Sequence, residues 1–344
     1  MKDTEAGSGK LEAGRKHCLV RITNCILPPV YCLMCIAYCL LPTTTNAWGF
    51  YGHKLINKNS VFLLPPGMFG FYKANIEFIT EHSVDPDRRR YSLDAEACRH
   101  YIDLDHYEKA VPIDSVPHYW KEAVAKFTAD SLNAHGIVPW HINLMYFRLV
   151  EAFKNKDKQR ILRVSAEIGH YIADAHVPLH TTHNYNGQFT NQHGIHAFWE
   201  SRLPELFSSE YDLLGEKAVY IDKVQEAAWM AIEQSYAALD SVLTFEKILS
   251  QNFPDDRKYS FEEKGRQGIK NYSEEYSRKY NDMLNDQVER RLRASANMIA
   301  SVWYSAWADG GMPDLDTLPE ELPKPDPEQP EAPKQEKMIG RQEE

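Results

Sequence analysis

Cysteine is scarce where this chain has to fold. Of six cysteines in 344 residues, Cys18, Cys25, Cys32, Cys35 and Cys39 precede residue 48, and only Cys98 follows it. A lone cysteine excludes an internal disulfide beyond that boundary and also a thiolate-rich metal site. A metal there would be held by histidine and carboxylate. Positive charge is in deficit too, with 39 Lys and Arg against 49 Asp and Glu and a net charge of -10. That balance excludes a general attraction to nucleic acid or anionic lipid. A chain of this kind that handles a polyanion needs a local device against repulsion, and a cluster of metal ions would serve. Long apolar runs are also missing. The one uncharged stretch, Ile26 to Leu41, spans 16 residues, carries Pro28 and Pro29, and is short for a membrane span. Runs that alternate apolar and polar residues are few, which sets β architectures aside.

The start of the chain differs from the rest. Lys10, Arg15, Lys16 and Arg21 form a basic lead, the uncharged stretch follows, and Thr43 to Ala47 are small and polar. This is the order of a secretory signal peptide over residues 1–47, with an uncleaved N-terminal anchor as the alternative. The protein is therefore expected to be secreted or periplasmic, with cleavage before Trp48. The other end, residues 312–344, holds seven prolines and ten acidic residues and little to bury, so a disordered tail is expected.

Between these ends, residues 48–311 show helical periodicity without a linker or repeat. The pattern predicts helices over Met68 to His82, Pro117 to Leu132, Trp140 to Lys154, Lys158 to Ala175 and Ser273 to Ala308. One or two more are predicted within Glu216 to Leu249. The expected fold class is all-α, a single multi-helix domain.

Fourteen histidines is a high count. The densest segment runs from Gly169 to His180. His170 and Asp174 are four apart on a predicted helix, so both reach one face and can grip one ion. Pro178 breaks that helix and lets His180 turn back. A polar stripe on a solvated helix is the plainer reading, but Ile172, Ala173, Val177 and Leu179 flank it as buried residues would. His196 and Glu200 repeat the four-residue spacing. Taken alone that pair is a weak signal, and its place soon after His180 strengthens it. Upstream stand Asp85 and His100, and at the leader boundary Trp48 and His53. His176 and His183 lie closest to these residues and are expected behind them as supports.

In their order and spacing, these motifs resemble the superfamily of zinc-dependent single-strand nucleases and bacterial zinc-dependent phospholipases C. The resemblance covers Trp48 to about Leu206 by motif. It implies one helical fold, three zinc ions, and hydrolysis of phosphodiesters by a zinc-activated water. Carried over residue by residue, it implies Asp85, His100, His170 and Asp174 at the first ion, and His180, His196 and Glu200 at the second. Trp48, through its freed amine and carbonyl, would hold the third with His53 and Asp174. Asp85 would also orient the nucleophile, and Arg88 would grip the phosphate, unless Arg88-Arg89-Arg90 is only a solvated basic turn.

The resemblance divides over the substrate. The Trp48 to His53 spacing, the interval from Asp85 to His100, and Arg88 three residues after Asp85 are nuclease-like. Glu200 and the short interval from His180 to His196 are phospholipase-like, and the nuclease family's disulfides are absent. A nuclease acting on single-stranded nucleic acid is the expected activity, with Tyr185 and Phe189 as candidate base-stacking rings. The alternative is a phospholipase C cleaving phospholipid head groups. A secreted zinc-binding protein without turnover is a further alternative, disfavoured by the presence of both Asp85 and Asp174. No obligate protein partner is implied. Exported protein is expected to begin at Trp48 and to carry about three zinc ions per chain. N-terminal sequencing with metal analysis checks this, and a distant start or a single zinc would remove the three-ion scheme.

Overall fold

A computed structural model of the protein describes residues 49–319 apart from Tyr91, 109–111 and 265–266. The expected leader, Trp48 and the chain beyond residue 319 lie outside the described residues. The short helices of the first half are α1 (Gly49–Val61), α2 (Pro66–Ala74), α3 (Ile76–Glu81), α4 (Asp85–Arg89), α5 (Leu104–Glu108), α6 (Trp120–Phe127) and α7 (Ala129–Ala134). The long ones follow as α8 (Val138–Lys154) and α9 (Lys158–Asp174). Then come α10 (Ile195–Ala197), α11 (Leu203–Phe207), α12 (Val224–Asn252), α13 (Glu274–Leu284) and α14 (Gln287–Asp309). The fold is all-α, as expected. Among the described residues no helix is long and apolar enough to cross a membrane.

Helix α9 is the centre of the bundle and packs against α8, α14 and α1. Asp157 starts it by accepting a hydrogen bond from the Arg160 amide at 3.0 Å. Its last turns are buried all round, from Ile168 through Asp174. Gly169 explains how α1 comes so near: a Cβ there would stand 1.9 Å from the Asn57 side chain of α1. The His53 and His170 rings consequently stack with centroids 3.8 Å apart. The end of α9 is held by a buried arginine. Arg291 of α14 donates to the His176 carbonyl at 2.9 Å and the Ala231 carbonyl at 2.9 Å, and also to the Ser235 hydroxyl. Ser235 itself donates to the Ala175 carbonyl at 2.7 Å. A cation at the negative end of a helix is electrostatically favoured, though burial pushes Arg291 down to about 10.

Several boundaries differ from expectation. The predicted helix over Met68 to His82 breaks at Asn75, and that over Pro117 to Leu132 starts at Trp120 and breaks at Thr128, where φ is 68°. Ser273 to Ala308 splits at Asn285 and Asp286, both left-handed, a conformation that Asn and Asp adopt more readily than other side chains. An antiparallel hairpin, β1 (Tyr259–Lys264) and β2 (Gln267–Tyr272), was not expected. Its strands are short and rich in Lys, Glu and Gln, so they carry little alternation. Arg202 fastens it by donating to the Tyr272 carbonyl at 3.1 Å and the Glu262 carboxylate at 3.0 Å. Part of the expected tail also returns to the domain: Leu315 and Leu318 are buried, and a turn at Leu315–Thr317 packs on α2. Two leucines among the prolines suffice for that. Cys98 is buried and free, its thiol pushed up to about 11 by burial.

Gly169→Ala is expected to destabilise the protein by about 1–3 kcal/mol, because a methyl group must displace the buried Asn57. Gly70, where an added methyl group would meet nothing within 4 Å, serves as the control. Gly70→Ala should be neutral or stabilising by up to about 1 kcal/mol. Denaturant unfolding of the two variants checks the contrast, and equal effects would contradict it.

Candidate metal centre

Asp174 sits at the middle of the site. Its side chain is fully buried at the end of α9, and imidazoles approach both of its oxygens. Oδ2 lies 2.9 Å from His100 Nδ1 and 3.3 Å from His170 Nε2. Oδ1 lies 3.5 Å from His53 Nε2 and 3.6 Å from His180 Nδ1. Burial works to raise this carboxyl, yet the surrounding imidazoles, His170 and His180 foremost, hold it well below the usual range. His53 and His170 are pushed down, foremost by burial. These rings are therefore neutral, with lone pairs available as ligands.

Hydrogen bonds at the far side of the rings decide which nitrogen carries that lone pair. The Nδ1 of His170 bonds the Ser83 carbonyl at 2.8 Å, and the Nδ1 of His180 bonds the His100 carbonyl at 2.8 Å. Both must donate there, which leaves Nε2 bare and pointing inward. The Nε2 of His180 then meets the Nε2 of His196 at 3.0 Å, and Glu200 Oε2 lies 3.1 Å from the latter. Burial would raise Glu200, but His196 and His180 hold it below its ordinary value. His196 and Glu200 straddle α10 and a π-helical turn at Phe198–Arg202, an irregularity frequent at functional sites.

The chain thus forms three groups whose candidate ligand atoms lie within 4.8 Å of one another: His53 with His170 and Asp174; Asp87 with His100 and His170; His180 with His196 and Glu200. The residues suit zinc. Zn–N bonds of about 2.0–2.1 Å in a tetrahedron put neighbouring ligand atoms about 3.3 Å apart, close to the spacings here. Buried polar atoms without hydrogen-bond partners point the same way, among them both ring nitrogens of His53, Asp174 Oδ1 and both oxygens of Glu200. Such atoms are costly unless something binds them.

The structure brings His53, His100, His170, Asp174, His180, His196 and Glu200 together as expected, and departs from expectation at Asp85. That side chain faces outward, 2.6 Å from His82 Nδ1 and 2.9 Å from Arg88 Nη1. Asp87 takes the inward place, buried and 3.5 Å from His170 Nε2. Two residues on a helix are about 200° apart, so only one of this pair can face the cluster. Arg88 is half exposed and lies over the Phe50 ring at 5.5 Å. Trp48 lies outside the described residues. Gly49, with φ at +41° and a would-be Cβ 2.6 Å from the Ser201 hydroxyl, brings the start of α1 beside the residue after Glu200.

His176 is buried and bonds the Ile172 carbonyl at 2.8 Å, whereas His183 is exposed and stacks on Phe189. Tyr185 meets His196 edge-on at 6.0 Å. Sequence reasoning missed Glu96, which is fully buried against His100, Arg99, Arg89 and Tyr171. Its four-residue interval to His100 was the available signal. Burial would raise Glu96, but His100 and the two arginines hold it well below its ordinary value.

A family model described as zinc dependent phospholipase C matches residues 52–263, more than half of the chain and every residue of the three groups named above. The chain belongs to the zinc-dependent phospholipase C family, within the superfamily that its motifs resembled. That family consists of zinc-dependent phosphoester hydrolases. No curated protein matches the chain.

Burial and the nearby Arg291 push His176 down to about 3. Below about 6.5 the unfolded chain takes up a proton that the folded chain refuses. Stability from this group is therefore whole above about pH 6.5 and is lost as pH falls from there toward 3, at up to about 1.4 kcal/mol per unit. His176→Asn should flatten the stability profile of the zinc-loaded protein between about pH 6.5 and 5 by close to one proton. Urea unfolding across that range measures it, and an unchanged slope would contradict the burial argument.

Proposed function

We propose that this chain is an exported phosphodiesterase of the phospholipase C type, cleaving phospholipid head groups at a centre of three zinc ions. The observation that carries the hydrolytic centre is the placement of Asp174, whose two oxygens face separate sets of histidines. Asp87, His100, His170 and Asp174 would hold the first ion; His180, His196 and Glu200 the second; Trp48, His53 and Asp174 the third. Bound zinc supplies water of lowered pKa near neutral pH and positive charge against the phosphate oxygens.

The chain's own residues do the rest. Asp174 would be shared by two of these sites, and the backbone carbonyls of Ser83 and His100 fix two rings with Nε2 free. Arg88, half exposed and held by Asp85, would offer its guanidinium to a phosphate oxygen. Export rests on the leader read in residues 1–47.

The position of Asp87 supports the phospholipid reading. The interval from Asp85 to His100 was a nuclease-like feature, and with Asp87 inside the cluster that interval no longer describes the site. Glu200 and the family match agree with the phospholipid side. One observation favours the nucleic-acid reading: His183 and Phe189, soon after His180 in the chain, stack at 5.4 Å and are both exposed, a surface on which a base can lie. Side-by-side assays of the zinc-loaded protein on phosphatidylcholine, single-stranded DNA and RNA test the choice. Faster turnover of phosphatidylcholine supports the proposal, and turnover of nucleic acid alone would replace it.

Asp174→Asn is expected to abolish hydrolysis of every phosphodiester, because it removes an anionic ligand from two sites. Arg88→Ala removes a single charge-stabilising contact, with an expected loss of about 10²- to 10³-fold. Rates at saturating zinc, with metal content determined for each variant, check the order. Near-normal turnover and full zinc in Asp174→Asn would overturn the bridging role.

A further inference from the structure

His100 is turned differently from the other histidines of the cluster. His53, His170 and His196 approach their neighbours in the cluster through Nε2, and His180 turns its Nε2 to His196 while its Nδ1 donates to a backbone carbonyl, whereas His100 approaches through Nδ1, 3.0 Å from His170 Nε2 and 2.9 Å from Asp174 Oδ2. A neutral imidazole that offers the Nδ1 lone pair carries its proton on Nε2, facing away from the cluster. That outward nitrogen is buried and lies 3.7 Å from Glu96 Oε1. Where His170 and His180 have backbone carbonyls behind them, His100 has a carboxylate.

The carboxylate is itself fixed in place. Oε2 of Glu96 receives Arg99 Nη1 at 2.7 Å and has Arg89 Nε at 3.5 Å. Oε1 accepts from the Tyr171 hydroxyl. Arg89 is in turn paired with Glu167 of α9 at 2.6 Å. The division is clear: one oxygen is spent on guanidinium groups, and the other faces Tyr171 and the ring of His100. A Glu that served only to balance Arg89 and Arg99 would have no need to be fully buried with an oxygen against an imidazole.

We infer that Glu96 is a positioning residue for the first zinc site, holding His100 in the tautomer that offers Nδ1 and strengthening it as a ligand. The inference rests on the three-ion reading proposed above. Closing from 3.7 Å to hydrogen-bond length needs a shift of under an ångström between the Glu96 carboxylate and the ring. A carboxylate behind a ligating histidine raises its basicity, and loss of such a partner typically costs about 10- to 100-fold in metal affinity.

The test uses zinc affinity, read by chelator competition on the full exported chain, so that activity is not needed. Glu96→Gln removes the charge, and Glu96→Asp keeps the charge for the arginines but withdraws it from His100. Both are expected to release one zinc at about 10- to 100-fold lower chelator strength than the unsubstituted protein, with the other ions retained. In a His100→Ala background, Glu96→Asp should cause no further loss, because the route through His100 is gone. Unchanged affinity in Glu96→Asp, or an equal loss with and without His100, would overturn the inference and leave Glu96 as a charge partner of the arginines. If Glu96→Gln fails to fold, Glu96→Asp carries the comparison. An unsubstituted protein that holds no zinc would overturn the metal reading itself.

Discussion

A carboxylate shut away from water among imidazoles is the constraint on which the rest of the structure turns. Asp174 has no exposed side-chain surface, and a charge in that position is tolerable only if opposite charge or strong donors surround it. The imidazoles supply part of that environment, and bound zinc would complete it. The surrounding helices can be understood as the means of delivering those rings. Helix α1 must come close enough to stack His53 on His170, and the segment before α5 must lay His100 against the same acid. The glycine at 169 and the buried guanidinium at 291 are the two features that make this crowding possible.

Helices with a wide apolar face were legible in the sequence. α8 and α9 lie within a residue or two of their predicted limits, because Pro139, Asp157 and Pro178 punctuate them chemically. The breaks at Asn75, at Thr128 and at Asn285 and Asp286 were not legible, since each is only one or two residues in a run that otherwise keeps its periodicity. The hairpin escaped for the opposite reason: its residues carry no pattern apart from the partner strand they pair with.

The site divides along the same physical line. Pairs four apart on one helix declare themselves, and His170 with Asp174, and His196 with Glu200, required no tertiary knowledge. Asp87 against Asp85 could not be decided, because both sit in one short turn and the outcome depends on where α4 points. Glu96 showed only its four-residue interval to His100, and its burial was not legible, since its partners Arg89 and Tyr171 come from other elements. Residues that touch the centre are written into local spacing, whereas residues that act through them depend on the packing of distant segments.

The isolation of Cys98 bears on where such a domain can operate. Its sulfur is buried, and its proton is held too tightly for a thiolate to form at neutral pH. Among the described residues, nothing in the fold depends on a sulfur–sulfur bond, and no thiolate competes with imidazole for zinc. The domain is therefore indifferent to the redox poise of its surroundings. It needs no oxidase to fold, and its helices keep the same contacts in a reducing or an oxidising compartment.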